Sequence, residues 1–277
     1  ALHGPPLTGE KIMFYWLDNM TNDKSLNVLM KIREIRKHTG SKFEDIVLAA
    51  FSASVHKYHL TIKKTAPDAL TVLSPVRMVI PGENLTLDNN FSIAFLRICI
   101  PNANGQKIVE PNRDSQFFKH LQDIARANNE LRKRSDILLN YWIMKYLAAL
   151  LPAKMFMQAC LLISDGTMGF SNLSGPEKVR ILNNSLSNFV IWIPTRNTIA
   201  LGLTLFSYGG NLQLSLIADK SIVKDETSFK ELFKNTVHEI ETAYNHVILM
   251  RLLKTSDLPI ETLAEKDIGV FQKKKYE

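Results

Sequence analysis

The chain has 277 residues, of which 45% are hydrophobic and 22% are charged, and its formal net charge is +7. This balance is ordinary for a globular protein and argues against a disordered, collagen-like or repeat architecture. The basic residues are scattered and accompany no zinc-finger, helix-turn-helix or RNP pattern, so a nucleic-acid partner is not expected. At most the charge favours a weak attraction to anionic membrane surfaces or acidic partners.

The amino-terminal part of the chain predicts one strand and then two helices. The stretch EKIMFYWLD (10–18) follows a Gly/Pro-rich lead and is typical of a strand. Apolar residues recur at helical spacing over roughly 24–37, which predicts the first helix. The second helix is predicted in SKFEDIVLAAFSASVHKYHL (41–60), where Ser41 and Glu44 form a capping-box pattern.

The middle of the chain predicts two strands and then a helical region. The strands are ALTVLSPVRMV (69–79) and FSIAFLRICIP (91–101), and residues 114–163 are predicted to form two or three helices. The most apolar part, 138–163, is interrupted by two lysines and by Pro152. Because no clean run of about 20 apolar residues remains, we expect a buried helical hairpin broken at Pro152 and no membrane span.

The carboxyl-terminal part returns to strands and ends in a helix. NFVIWIP (188–194) is strand-like, and ALGLTLFSYGGNLQLSLIAD (200–219) predicts a hairpin that turns at Gly209-Gly210-Asn211. The final helix carries a row of apolar residues from Phe229 to Tyr244. Strands and helices are therefore mixed, with a late antiparallel hairpin, which indicates an α/β or α+β fold.

The sequence contains no self-sufficient catalytic constellation. It lacks a nucleophile elbow, a P-loop and a GxGxxG motif, and its single histidines stand outside any triad pattern. His56 and His59 are three residues apart on a predicted helix and could share a metal ion, but no third ligand is suggested nearby. A solvated or partly packed pair is therefore the expectation, with no metal site.

Two pairs of polar residues remain as candidates for binding. Ser171-Asn172 and Ser207-Tyr208 place hydroxyl and amide groups at the ends of strand-like segments. Such groups can donate hydrogen bonds to a bound carbonyl or to a developing oxyanion. They can equally satisfy their own backbone at turns, so the physical chemistry of these residues leaves both interpretations open.

Five N-x-Ser/Thr sequons favour a secretory or extracellular history for the protein. They lie at Asn19, Asn84, Asn90, Asn172 and Asn183. The chain begins with Ala1 and not with Met, so we expect it to be the product of processing.

Six segments, taken in chain order, resemble the C-terminal half of the wax ester synthase/diacylglycerol acyltransferase family. They are LHGPPLTGEKIMFYW, the helix with Glu44-Asp45 where the family has Asn-Asp, VLSPVRM, DNNFSIAFLRICIP with Asn90, FSNLSGP with Ser174 in place of a proline, and FSYGGNLQLSLIAD ending at Asp219. This order extends over nearly the whole chain and is specific to the family.

The resemblance implies the fold of CoA-dependent acyltransferases typified by chloramphenicol acetyltransferase, in which two mixed-sheet lobes enclose a tunnel. The histidine of an HHxxxDG motif in the N-terminal lobe would act as general base on an alcohol that attacks an acyl-CoA thioester. This chain lacks that motif and would be the C-terminal lobe, with 1–22 as linker and crossover strand and 23–277 as the lobe. Its partner would be the N-terminal lobe, separated from it by cleavage.

The resemblance also implies where a substrate would lie. Asn90, Ser171, Asn172, Ser207 and Tyr208 are expected near the tunnel, and the helices of 138–163 are expected to line its acyl part. No covalent cofactor is expected, acyl-CoA is the expected substrate, and peripheral membrane contact is a further expectation. The alternative function is a carrier for a lipid, carotenoid or other pigment that has kept the fold and lost catalysis.

Overall fold

The computed structural model describes residues 7–18, 27–62, 66–78, 90–100, 113–147, 150–152, 154–155, 158, 166–195 and 199–255. Its strands are β1 (Lys11–Leu17), β2 (Ala69–Arg77), β3 (Phe91–Cys99), β4 (Met168–Ser174), β5 (Arg180–Ile181), β6 (Asn184–Ser185), β7 (Leu201–Tyr208) and β8 (Asn211–Asp219). Its α-helices are α1 (Val28–Thr39), α2 (Phe43–Thr61), α3 (Arg113–Lys133), α4 (Asp136–Trp142) and α5 (Glu226–Thr255), and a π-helical turn (Ile143–Leu147) continues α4.

Six of the strands form one mixed sheet in the order β1-β8-β7-β4-β2-β3. The three central strands β7, β4 and β2 are parallel to one another. On one side of them, β8 is antiparallel to β7, and β1 is antiparallel to β8. On the other side, β3 is antiparallel to β2. The prediction of a mixed sheet flanked by helices is confirmed.

The apolar core lies between the helices and one face of this sheet, here called the helix-covered face. Alternate residues of a strand share a face, so Leu212, Leu214 and Leu216 of β8 all enter the core. Phe229 and Phe233 of α5 are buried, and the ring centroid of Phe233 lies 5.7 Å from that of Phe14 on β1. The opposite side of the sheet is called the outer face.

The predicted turn between β7 and β8 is confirmed. Gly209 and Gly210 have φ values of 56° and 83°, which lie in the left-handed region that glycine enters without a Cβ clash. Two consecutive residues of this kind close a two-residue hairpin whose twist matches that of the flanking strands.

The helix α2 begins one residue later than its sequence pattern predicts. The helix starts at Phe43, and the carboxylate of Asp45 accepts a hydrogen bond of 3.0 Å from the backbone N–H of Lys42. The predicted Ser41–Glu44 capping box is therefore wrong, because Asp45 and not Glu44 reaches back to the helix start. This shift leaves the Glu44 carboxylate available for contacts with other elements.

The strand-like segment 188–194 is not a strand. It crosses the outer face, and its backbone is held by side chains of the sheet below: the N–H of Ile193 donates to Thr204 Oγ1 at 3.0 Å, and Ser215 Oγ donates to the carbonyl of Ile191. The segment could join the sheet only beside a strand with an unpaired edge. The strands beneath it, β7 and β8, already have a neighbour on each side. The apolar residues of the segment therefore cover the sheet instead of extending it.

The sequence predicts that α4 belongs to a buried helical hairpin, but the structure shows an exposed helix instead. Leu138, Leu139 and Trp142 are 52%, 59% and 50% exposed. Much of the second half of the predicted hairpin, after Pro152, lies outside the described residues. None of the helices in the described ranges is long and apolar enough to cross a membrane.

The first described residues are held against the end of β8 by Asp219. Its carboxylate is fully buried and accepts hydrogen bonds from the backbone N–H groups of Thr8 and Gly9 at 2.9 and 3.0 Å. Lys11 Nζ lies 3.2 Å from the same carboxylate. Burial alone would raise the pKa of Asp219, but the hydrogen bonds from Thr8 and Ser221 outweigh burial and hold it below its ordinary value.

A half-buried histidine between α2 and α3 makes the stability of the fold depend on pH. His120 Nε2 lies 2.8 Å from Ser52 Oγ, and burial lowers the pKa of His120 from 6.5 to about 4. Between these values the unfolded chain binds a proton that the native chain does not, so acidification favours unfolding. We expect the free energy of unfolding to fall by about 3 kcal/mol between pH 7 and pH 4 through this residue.

The comparison of two His-to-Gln variants by denaturant unfolding at several pH values tests this expectation. His120→Gln removes the titration, so its stability curve should be flatter than that of the wild type over this interval. His238→Gln changes an exposed histidine and should leave the curve unchanged. Parallel curves for the wild type and His120→Gln would contradict the prediction.

Candidate active-site groove

The parallel strands β2, β4 and β7 end at the same edge of the sheet, here called the carboxyl edge. Side chains of small polar residues gather there because β4 carries the Ser171-Asn172 pair and β7 carries the Ser207-Tyr208 pair near their ends. The register aligns Asn172 with Leu205 and Ser174 with Ser207. In open α/β sheets this edge is the usual place for a ligand.

The side chain of Asn172 is part of a polar chain that links the sheet to two helices. Asn172 Nδ2 donates to the carboxylate of Glu44 on α2 at 3.3 Å, and the other oxygen of Glu44 accepts from Arg132 of α3 at 2.9 Å. Glu44 is only 15% exposed, whereas Arg132 is 57% exposed. Glu44 therefore orients the Asn172 amide from inside the groove.

Asp45, the residue after Glu44, holds the start of α2 in place. Asp45 is buried, and its carboxylate accepts a hydrogen bond of 2.7 Å from Asn128 of α3. Burial raises the pKa of Asp45 above its ordinary value, and the hydrogen bonds from Asn128 and from the backbone of Lys42 oppose that rise. The start of α2 is thereby tied to α3, which holds Glu44 in position beside Asn172.

Asn172 lines two adjoining clefts on the helix-covered side of the carboxyl edge. The first has a volume of about 230 Å³, and its polar lining consists of Glu44, Ser74, Arg77, Asn128, Arg132 and Asn172. The second has a volume of about 420 Å³, and its polar lining includes Arg33, Arg36, Asn172, Ser174, Glu177 and Ser207. The two clefts share Asn172 and are together called the groove here.

Two of the predicted site residues, Asn172 and Ser207, line this groove, but their sequence neighbours do not. Successive side chains of a strand point to opposite faces, so Ser171 and Tyr208 lie on the outer face. Ser171 is buried and is aligned with Thr204. The hydroxyl of Tyr208 accepts from the N–H of Val179 and donates to the carbonyl of Leu186, both at 2.9 Å.

Asn90 lies at the same edge but has a different partner. Its side-chain oxygen accepts a hydrogen bond of 2.8 Å from the hydroxyl of Tyr141, just before β3 begins. Its carbonyl accepts from the N–H of Met78 at 3.0 Å. Asn90 thus connects the β2–β3 pair to α4.

The sequence did not reveal the charged residues of the groove. Glu44 and Arg132 are 88 positions apart, and Asn172 and Glu44 are 128 apart, so no local spacing signals either contact. The one available signal was Glu44 itself, a carboxylate where the resembling family has an amide. No histidine among the described residues lines either cleft.

The described residues also contain no group of three or more His, Cys, Asp or Glu side chains that could share a metal ion. Of the two histidines weighed as a metal pair, His59 Nδ1 lies 2.9 Å from the carbonyl of Val55 within α2. The polar residues that line the groove offer hydrogen bonding and charge.

Gly175 allows the backbone at the end of β4 to lie close to the end of β7 beside the groove. A Cβ on this residue would lie 2.1 Å from the carbonyl oxygen of Ser207 and 2.4 Å from the ring of Phe206. We expect Gly175→Ala to lower the free energy of unfolding by about 2 kcal/mol, because a backbone atom must move to admit the methyl group. Denaturant unfolding measures the loss.

Gly169→Ala, within β4, is the matched control for Gly175, which lies just after the strand. A Cβ there would meet Ile193 at 3.4 Å, an ordinary van der Waals distance. Its effect should be well below that of Gly175→Ala, and equal effects of the two substitutions would contradict this account of the strand end.

Residues 87–241, more than half of the chain, match the family model of the WS/DGAT C-terminal domain. The chain belongs to this family, as the six sequence segments predicted. No curated protein matches the chain.

Solved structures of acyltransferase type share the fold. The wax ester synthase/diacylglycerol acyltransferase from Marinobacter aquaeolei VT8 matches with 16% identity and a TM-score of 0.52, over 87% of this chain and 51% of that one. The trichothecene 15-O-acetyltransferase TRI3 from Fusarium sporotrichioides matches with 10% identity and a TM-score of 0.55, over 87% and 48%.

An epimerization domain of tyrocidine synthetase B is similar as well, with 10% identity and a TM-score of 0.56 over 88% of this chain and 50% of that one. At these identities the likeness concerns the fold. The chain spans about half the length of the structures it matches.

Proposed function

We propose that this chain is the C-terminal lobe of an acyl-CoA:alcohol O-acyltransferase of wax ester or acylglycerol type. It acts together with an N-terminal lobe that carries HHxxxDG. The observation that carries the proposal is the Asn172 amide, held by Glu44 in an open polar groove at the carboxyl edge of a family-typical sheet.

The described lining of the groove has groups for orienting a substrate but no histidine that could activate it. The Asn172 amide and the Ser207 hydroxyl can donate hydrogen bonds to a carbonyl oxygen, and such donors stabilise the charge that develops there during acyl transfer. A general base must still remove the proton from the alcohol. In our proposal the histidine of the other lobe supplies it, across a groove that this chain leaves open.

Exposed apolar residues beside the carboxyl edge support contact with a second lobe. Val179, Ile181 and Leu182, on and beside the β5–β6 hairpin, are 37%, 55% and 91% exposed. Such residues are usually covered in a functional assembly when they gather in one place. Since the chain spans half of its structural relatives, the N-terminal lobe is the partner we propose for this hairpin.

The carrier function is less favoured by the described groove. A lipid or pigment carrier would enclose its ligand in apolar side chains. The first cleft combines apolar residues such as Leu48, Leu96 and Phe170 with Glu44, Arg77 and Arg132. The second cleft carries Arg33, Arg36 and Glu177. These groups suit a ligand with polar and charged parts, such as an acyl-CoA.

Native mass spectrometry of the protein purified from its source tests the proposal, followed by a thiol-release assay with acyl-CoA and an alcohol. We expect a second polypeptide segment with HHxxxDG, in the same or an associated chain, and alcohol-dependent release of CoA. A stoichiometric lipophile together with a disrupted histidine motif would overturn the enzyme and establish the carrier.

A further inference from the structure

One side of α4 and the π-helical turn exposes an apolar surface, here called the α4 face. It consists of Leu138, Leu139, Trp142, Ile143 and Tyr146, which are 52%, 59%, 50%, 38% and 51% exposed. At about 100° per residue these five positions fall within one side of the helix. The rings of Trp142 and Tyr146 are stacked, with centroids 5.0 Å apart.

The opposite side of the same helix is fixed to the sheet by hydrogen bonds. Ser92 Oγ donates to the carbonyl of Ile137, Asn140 Nδ2 donates to the carbonyl of Ile93, and the Tyr141 hydroxyl donates to Asn90. The helix therefore cannot turn its apolar side inward without losing three partners. The α4 face is held outward by the fold itself.

Positive charge predominates in the sequence that contains and flanks this face. Residues 133–158 contain Lys133, Arg134, Lys145 and Lys154 but only one acidic residue, Asp136. All four cations are exposed. Lys145 lies at the edge of the face, with its Nζ 5.3 Å from the centroid of the Tyr141 ring.

We propose that the α4 face is a membrane-contact surface that lies in the headgroup region of an anionic bilayer. Leu, Ile, Trp and Tyr side chains on one side of a helix, with lysines beside them, are the composition of interfacial helices. The apolar residues enter the boundary of the acyl chains while the flanking cations meet anionic headgroups. This inference concerns attachment and does not depend on the proposed acyl transfer.

The charge pattern favours lipid over protein as the occupant. A second copy that docked through the same face would bring these cations near their counterparts, and like charges repel each other. A different protein would need acidic groups arranged opposite these positions. An anionic bilayer provides negative charge over its whole surface and attracts each nearby Lys or Arg by about 1 kcal/mol.

The test is co-sedimentation of the full-length protein with vesicles of phosphatidylcholine containing roughly one third phosphatidylglycerol. The double variant Leu139→Glu/Trp142→Glu places two carboxylates on the α4 face. Leu249→Glu/Leu252→Glu is the matched control, with the same three-residue spacing on α5 and exposures of 43% and 52%. Circular dichroism establishes that both variants fold.

We expect the wild type and the α5 variant to bind these vesicles equally and the α4 variant to bind on the order of tenfold more weakly or worse. Absence of vesicle binding by the wild type, or equal losses in both variants, would overturn the proposal. Release of another polypeptide by the α4 variant without vesicle binding by the wild type would make the face a protein interface instead.

Trp142→Phe gives a second readout that keeps the apolar contact. With brominated lipids, the wild type should lose tryptophan fluorescence on binding, whereas Trp142→Phe should bind with little quenching. Equal quenching of the two proteins would place a different part of the molecule in the bilayer and would contradict the assignment.

Discussion

Replacing Asn172 with alanine is expected to lower kcat of the two-lobe protein on the order of 100-fold, as loss of one oxyanion donor does in other acyl-transfer enzymes. The side chain is exposed, lines both clefts and donates one hydrogen bond, to Glu44. Its removal should therefore change stability little and KM by a few fold only. CoA-release kinetics and a denaturant titration of the same preparation measure these quantities.

The matched control for this prediction is Asn245→Ala. Asn245 is also exposed, but it lies on α5, outside the groove and away from the β5–β6 hairpin. It should retain the activity of the wild type. If Asn172→Ala retained it as well, Asn172 would have no part in the transition state.

The elements with strong local signals were predictable from the sequence. The Gly209-Gly210 turn has a specific backbone requirement that few other residue pairs meet, and the structure confirms it. The start of α2 was misplaced by one residue because Ser41 and Glu44 match the capping-box pattern, whereas Lys42 at the actual N-cap does not. Asp45 is held by the backbone of Lys42 and by Asn128 of α3, and the second contact is absent from local sequence.

Two further errors came from treating apolar character as evidence of burial or pairing. Residues 188–194 have the composition of a strand, but the sheet offers them no free edge at that place. The apolar residues of α4 predicted a buried hairpin, but hydrogen bonds from Ser92 and Asn140 fix the helix with that side outward. In both segments, hydrogen bonds between neighbouring residues and the rest of the fold decide which way the apolar side chains face.

The place of the polar pairs at strand ends followed from the sequence, but the neighbours of these residues in the fold did not. Both polar pairs were expected at strand ends, and the structure brings both to the carboxyl edge. Alternation along each strand then separates the pairs, so that Asn172 and Ser207 face the groove while Ser171 and Tyr208 face away. The charged partners Glu44 and Arg132 come from distant helices and needed the fold to be found.

The buried Asp219 carboxylate has the largest expected effect on stability. Asp219→Ala leaves the N–H groups of Thr8 and Gly9 without their acceptor and the Lys11 ammonium without its partner. We expect the free energy of unfolding to fall by about 3 kcal/mol, since breaking a buried charged network leaves its other members uncompensated. Hydrogen exchange of residues 7–11 should become faster, because these residues lose their attachment to β8.

The dependence of this effect on pH identifies the charge as its source. The pKa of Asp219 lies below its ordinary value of 3.8, so its stabilisation is fully present above that pH and is lost as the pH falls below it. The control is Asp225→Ala, which removes an exposed carboxylate that accepts from the N–H of Ser228 at the start of α5. If Asp219→Ala cost no more than Asp225→Ala at pH 7, the amino-terminal segment would be held by β1 pairing alone.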